Sequence, residues 1–162
     1  MTGTAARVDE WLARAGSPSE SMISWATLGY PQGDPSEGGG RVRPIDTYVT
    51  RRALDAAAQV GQGHSQLVVV VTDRRLLFLS VGGLVRVKPR DLVAEAPVAS
   101  SRLEWWDQRE IGPDRRWLLF ELGASWLSHV AMVKGRTNIE ALTDALGTRA
   151  VHVGHPDGGP LR

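Results

Sequence analysis

The residues of this chain that could do chemistry are mostly arginines. Arg74 and Arg75 close the tetrad Thr72-Asp73-Arg74-Arg75, Arg41 and Arg43 follow the run Gly38-Gly39-Gly40, and Arg51 and Arg52 precede an alanine-rich stretch. Grouped guanidinium ions suit carboxylates, phosphates or an acidic membrane surface. Asp34, Glu37 and Asp46 dilute the field around the second and third groups. Arg41, Arg43, Arg51 and Arg52 are nonetheless candidate anion- or lipid-binding residues, with solvated loop charge as the alternative.

Other chemistries find less material. The chain has no cysteine, which removes thiolate metal sites, thiol nucleophiles and disulfides. Ser125 in Gly123-Ala124-Ser125-Trp126 lies outside any nucleophile-elbow pattern. Gly61-Gln62-Gly63 precedes an expected strand, whereas a dinucleotide loop follows one. His152, His155 and Asp157 have metal-ligand types, but they lie in a Gly- and Pro-rich tail unsuited to a preformed site. His64 and His129 stand alone. Glu104, Asp107 and Glu110 are the best carboxylate group, yet on a strand Glu104 and Asp107 point to opposite faces and cannot act as an acid/base pair. No catalytic residue, metal or cofactor is expected, and the chain reads as non-enzymatic.

Composition narrows the partners. The 19 basic and 18 acidic residues nearly cancel, so no general polyanion binding is expected, although a local patch remains open. Six tryptophans have no basic stripe among them, which argues against nucleic acid. No apolar run reaches membrane-span length. With no signal-like start, a cytoplasmic bacterial protein is the simplest expectation.

The elements that must position these residues follow from periodicity and breakers. A single domain is expected. It comprises a helix over 4–15 capped by Thr4, a core over 20–147 with a loop and helix inserted at 31–64, and a flexible tail over 148–162. The inserted helix is placed at 46–60. Strands are expected over 22–28, 67–71, 75–81, 84–88 (stopped by Pro89), 91–98 (broken at Pro97), 103–108, 115–122 and 129–133. Thr137-Asn138-Ile139-Glu140 reads as a capping box opening the last helix.

Two hairpins allow sharper statements. A two-residue turn at Asp73-Arg74 sets Val71 against Leu76, Val69 against Phe78 and Leu67 against Ser80, with Val70–Leu77 and Val68–Leu79 on the other face. Both faces are apolar, so something must cover the outer one. The candidates are the inserted helix, the N-terminal helix or a second copy, with the internal helices preferred. In the second hairpin, closed over 109–114, Leu103 opposes Phe120, Trp105 opposes Leu118, Asp107 opposes Arg116 and Trp106 opposes Trp117. A Trp–Trp pair facing away from the core makes an apolar patch unless covered.

Short strands in succession, the segment Val70-Val71-Thr72-Asp73-Arg74-Arg75-Leu76-Leu77-Phe78, and one closing amphipathic helix together resemble the bacterial pleckstrin-homology-like domains and the related GRAM-type modules. The resemblance covers roughly residues 22–146, with the 31–64 insertion as a departure. It implies a mainly β (α+β) fold: a small antiparallel barrel or bent sandwich with a C-terminal capping helix. It also implies an interaction module, one that binds a protein partner or its own copies. Trp106 and Trp117 are the candidate partner-binding residues, and recruitment to anionic lipid is the alternative.

Overall fold

The computed structural model describes residues 3–15, 19–29, 58–61, 64, 66–82, 87–108, 114–133 and 137–153. Helix α1 spans Thr4–Arg14. The strands are β1 (Met22–Leu28), β2 (Ala58–Gln59), β3 (Leu67–Thr72), β4 (Arg75–Gly82), β5 (Lys88–Pro97), β6 (Ser101–Gln108), β7 (Arg115–Leu122), β8 (Ser125–Met132) and β9 (Ala150–His152), with helix α2 (Ile139–Leu146) between β8 and β9. One sheet has the order β1-β3-β4-β5 and the other β2-β8-β7-β6-β9. The fold is thus mainly β. Among the described residues the sheets are joined by a single bridge, Gly29 to Val130, and do not close into a barrel, one of the two expected forms.

Between the sheets lies the main core. Leu67, Val69, Val71, Leu76 and Phe78 from one sheet meet Leu103, Leu118, Phe120 and Leu127 from the other, while Ile139, Leu142 and Leu146 of α2 pack against them. Phe78 and Phe120 meet edge to face at 5.0 Å. The outer face of β3 and β4 is buried as well, because α1 lies over it: Val8 and Leu12 pack with Val68, Val70, Leu77 and Leu79. The N-terminal helix is therefore the cover that the doubly apolar hairpin required.

Both hairpins adopt the expected registers, Val71 to Leu76 through Leu67 to Ser80 in the first and Leu103 to Phe120 through Asp107 to Arg116 in the second. The first turn is locked by its own tetrad. The Thr72 hydroxyl accepts from the Arg74 and Arg75 amides at 3.2 and 2.9 Å. Asp73 exchanges hydrogen bonds with Ser21, its amide donating to the Ser21 carbonyl and its Oδ1 accepting from the Ser21 amide, both at 3.0 Å. Arg75 grips the buried Glu20 carboxylate through Nε and Nη2 and also pairs with Glu95. The hydrogen bond to Glu20 leads the causes that hold the Arg75 guanidinium above its already high ordinary range. Arg75→Ala would leave a carboxylate that is 3% exposed without this cation, with the Thr72 hydroxyl still donating to it. We expect a loss of about 2–3 kcal/mol in urea unfolding, with most of it recovered in the Glu20→Gln/Arg75→Met double variant.

Five local expectations are corrected. Thr4 is the first residue of α1 and Gly3 its cap. Residues 46–57 of the expected inserted helix lie outside the described set, and Ala58–Gln59 form a strand parallel to β8, where the Val60 amide reaches the Trp126 carbonyl at 2.8 Å. Strand β5 runs through Pro89, because an edge strand tolerates a missing N–H. Strand β8 begins at Ser125, since Gly123, at φ 70°, makes a two-residue turn with Ala124. The capping box does not form: the Thr137 hydroxyl donates to the Met132 carbonyl at 2.6 Å, and the Asn138 side chain donates to the Trp25 carbonyl at 2.8 Å. Both polar groups tie α2 to the sheets.

Candidate functional site

Where β5 begins beside α1, four cations gather. Arg7 and Arg14 lie seven residues apart, two turns or about 10.5 Å along the helix. Lys88 and Arg90 are alternate residues of β5, about 6.7 Å apart on one side of the strand. Between the helix and the strand run two adjoining clefts of about 510 and 300 Å³ that share Arg14, Pro89 and Arg90. Glu10 and Asp91 also line them.

Hydrogen bonds from α1 hold the groove in shape. The Trp11 indole N–H donates to the Arg90 carbonyl at 2.6 Å, and Arg7 donates from Nη1 to the Val87 carbonyl at 2.9 Å. Gly82 lets the Arg90 side chain lie across the end of β4; a Cβ there would stand 1.9 Å from its Nε. Arg14 donates to the Glu10 backbone carbonyl at 3.4 Å. Among the described residues none of these four cations forms an ion pair, whereas Arg75, Arg102 and Arg116 each meet a carboxylate. The groove therefore carries four cations against two carboxylates, a net positive charge that favours an anionic ligand.

The expected site residues are placed differently. Arg41, Arg43, Arg51 and Arg52 lie outside the described residues, as do Glu110, His155 and Asp157. Trp106 and Trp117 do pair, stacked at 6.2 Å with 12° between their planes. They are 1% and 2% exposed, enclosed with Leu119 and Val130 and flanked by Trp126 and Val153. The apolar face expected there is closed within the chain, so neither ring offers a contact surface.

Glu104 is buried and pairs with Arg102, while Asp107, on the opposite face, is held by Arg116 at 2.8 and 3.1 Å. His129 is buried with its Nε2 3.4 Å from the His64 carbonyl. His152 stacks on Trp105 at 4.2 Å in β9, so the part of the expected tail that reaches Val153 is ordered against β6. Among the described residues no group of three or more His, Cys, Asp or Glu could hold a metal ion, and no helix is long and apolar enough to cross a membrane.

Sequence reading missed the groove because its two walls stand some eighty positions apart. The available signals were Arg7 and Arg14 on one face of an amphipathic helix and the Lys88-Pro89-Arg90 triplet. No family model and no curated protein matches this chain.

Proposed function

We propose that this protein is a non-enzymatic recruitment module of pleckstrin-homology-like architecture that seats the α1–β5 groove on an anionic, phosphate-bearing membrane surface. The observation that carries this is the set of four cations, none in an ion pair among the described residues, around two joined clefts. The architectural part is supported by the order of elements. Four strands, β1, β3, β4 and β5, make one antiparallel sheet, three more, β6 to β8, form the body of the second, and a helix follows against the core.

Each cation near an anionic leaflet contributes about 1 kcal/mol. After repulsion from Glu10 and Asp91 the groove should contribute about 2–3 kcal/mol, a roughly 30- to 150-fold gain in partitioning. A protein-partner reading centred on Trp106 and Trp117 has less support, since both rings are enclosed.

Co-sedimentation tests the proposal, with vesicles of phosphatidylserine and phosphatidylcholine compared with phosphatidylcholine alone. Binding to the anionic vesicles should weaken from low to physiological salt. The variant Arg14→Glu/Lys88→Glu/Arg90→Glu changes only exposed side chains and should lose that binding while keeping a cooperative unfolding transition. Absence of binding at low salt, or equal binding by the variant, rejects it.

A further inference from the structure

Between α2 and the second sheet lies another cleft, open to solvent and of about 500 Å³, whose lining includes Trp105, Arg116, Glu140, Thr143, Asp144 and Ala150. We propose that this cleft docks a cationic side chain, lysine or arginine, carried by an extended segment of a protein partner.

The argument begins with Arg116, which is buried. Its Nε and Nη2 hold the Asp107 carboxylate, and Nη1 donates to the Thr143 hydroxyl at 2.8 Å. Its guanidinium carbon lies 3.8 Å from the Trp105 ring centre. Asp107 neutralises its charge, yet only three of the five N–H groups of an arginine are used in these bonds. Two donors remain for an uncharged acceptor such as a peptide carbonyl.

The rim has the opposite character. Glu140 and Asp144 are one turn apart on α2, so they share a face of the helix. Both are exposed, and neither forms an ion pair among the described residues. Nearby Arg149 directs Nη1 to the Ala99 carbonyl at 2.8 Å. With Arg116 matched by Asp107, and with Arg149 bonded to a carbonyl that leaves its charge in place, the two rim carboxylates outnumber the remaining cation and the cleft keeps a small net negative charge. It repels an anion and attracts a cation, and its floor offers donors to the backbone that presents that cation. Trp105 has Arg116 and His152 in ring contact, so it serves as a wall and not as a stacking platform. This site is independent of the α1–β5 groove and would bind ligands of the opposite sign.

The test is a titration of isotopically labelled full-length protein with the blocked peptide Gly-Arg-Gly-Arg-Gly at low salt, followed by amide and indole resonances. Trp105, Thr143 and Ala150 should shift together, and added salt should weaken the binding. The exposed-site variant Glu140→Lys/Asp144→Lys should bind about tenfold or more weakly with its fold unchanged. The matching Gly-Glu-Gly-Glu-Gly peptide should leave those resonances in place. The proposal is overturned if the arginine peptide does not move the Trp105, Thr143 and Ala150 signals. It also fails if the reversed variant or the glutamate peptide binds equally well.

Discussion

Deleting residues 1–15 should leave a chain that no longer unfolds cooperatively as a monomer. Helix α1 buries Val8 and Leu12 against Val68, Val70, Leu77 and Leu79. All six side chains are at most 3% exposed in the intact protein. Burial of each contributes about 1.5–3 kcal/mol, so the six represent about 9–18 kcal/mol before conformational entropy is counted. Net stability for a domain is about 5–15 kcal/mol, so even the part of this sum that survives the entropy of ordering α1 is a large share of the margin. The truncated chain should bind a hydrophobic dye and elute as a broad associated species in size-exclusion chromatography. A point variant gives a finer measure. Leu12→Ala should lower stability by about 2–4 kcal/mol in urea unfolding. A dye-negative truncated monomer, or a Leu12→Ala loss under about 0.5 kcal/mol, would show that the helix contributes little.

Trp106→Ala should cost about 3–5 kcal/mol, the next largest effect. The ring is among the largest fully buried side chains and stacks on Trp117, with Leu119 and Val130 in the same cluster. An aromatic pair adds about 0.5–1.5 kcal/mol beyond its buried area, so Trp106→Phe should recover a good part of the loss. Chemical unfolding followed by near-ultraviolet circular dichroism measures both variants, and a stable Trp106→Ala protein would mean the cluster is loosely packed. A binding defect in Trp106→Ala would therefore report on folding first. The charge reversals at Arg14, Lys88 and Arg90 avoid this confusion because the side chains they replace are exposed.

What the sequence made legible was local geometry with a rigid constraint. A two-residue turn at Asp73-Arg74 leaves one register for Val71 and Leu76, and the pairing of Trp106 with Trp117 follows from the same logic on the second hairpin. Two apolar faces on β3 required a cover, and Val8 and Leu12 of α1 supply it. Alternation on a strand, however, says which residues share a face and nothing about what lies over that face. Trp106 could thus be paired correctly and still be read as exposed.

The capping box failed for a related reason. Thr137 and Asn138 have the local chemistry to cap α2, but their partners, the Met132 and Trp25 carbonyls, are supplied by the tertiary fold. Strand β9, of three residues, is too short to show a period. The groove joins Arg7 and Arg14 to Lys88 and Arg90, and only the packing of α1 beside β5 brings them together.

The hydrogen bond from Asn138 to Trp25 spans 113 positions and bears on how the chain is made. Strand β1 also gives its Thr27 amide to the Thr137 carbonyl at 2.9 Å, so this strand is completed by residues made more than a hundred positions after it. Until Ile139, Leu142 and Leu146 emerge, the core face of the first sheet has no lid from α2. Nascent chains arrested before that point display the apolar surface that chaperones recognise.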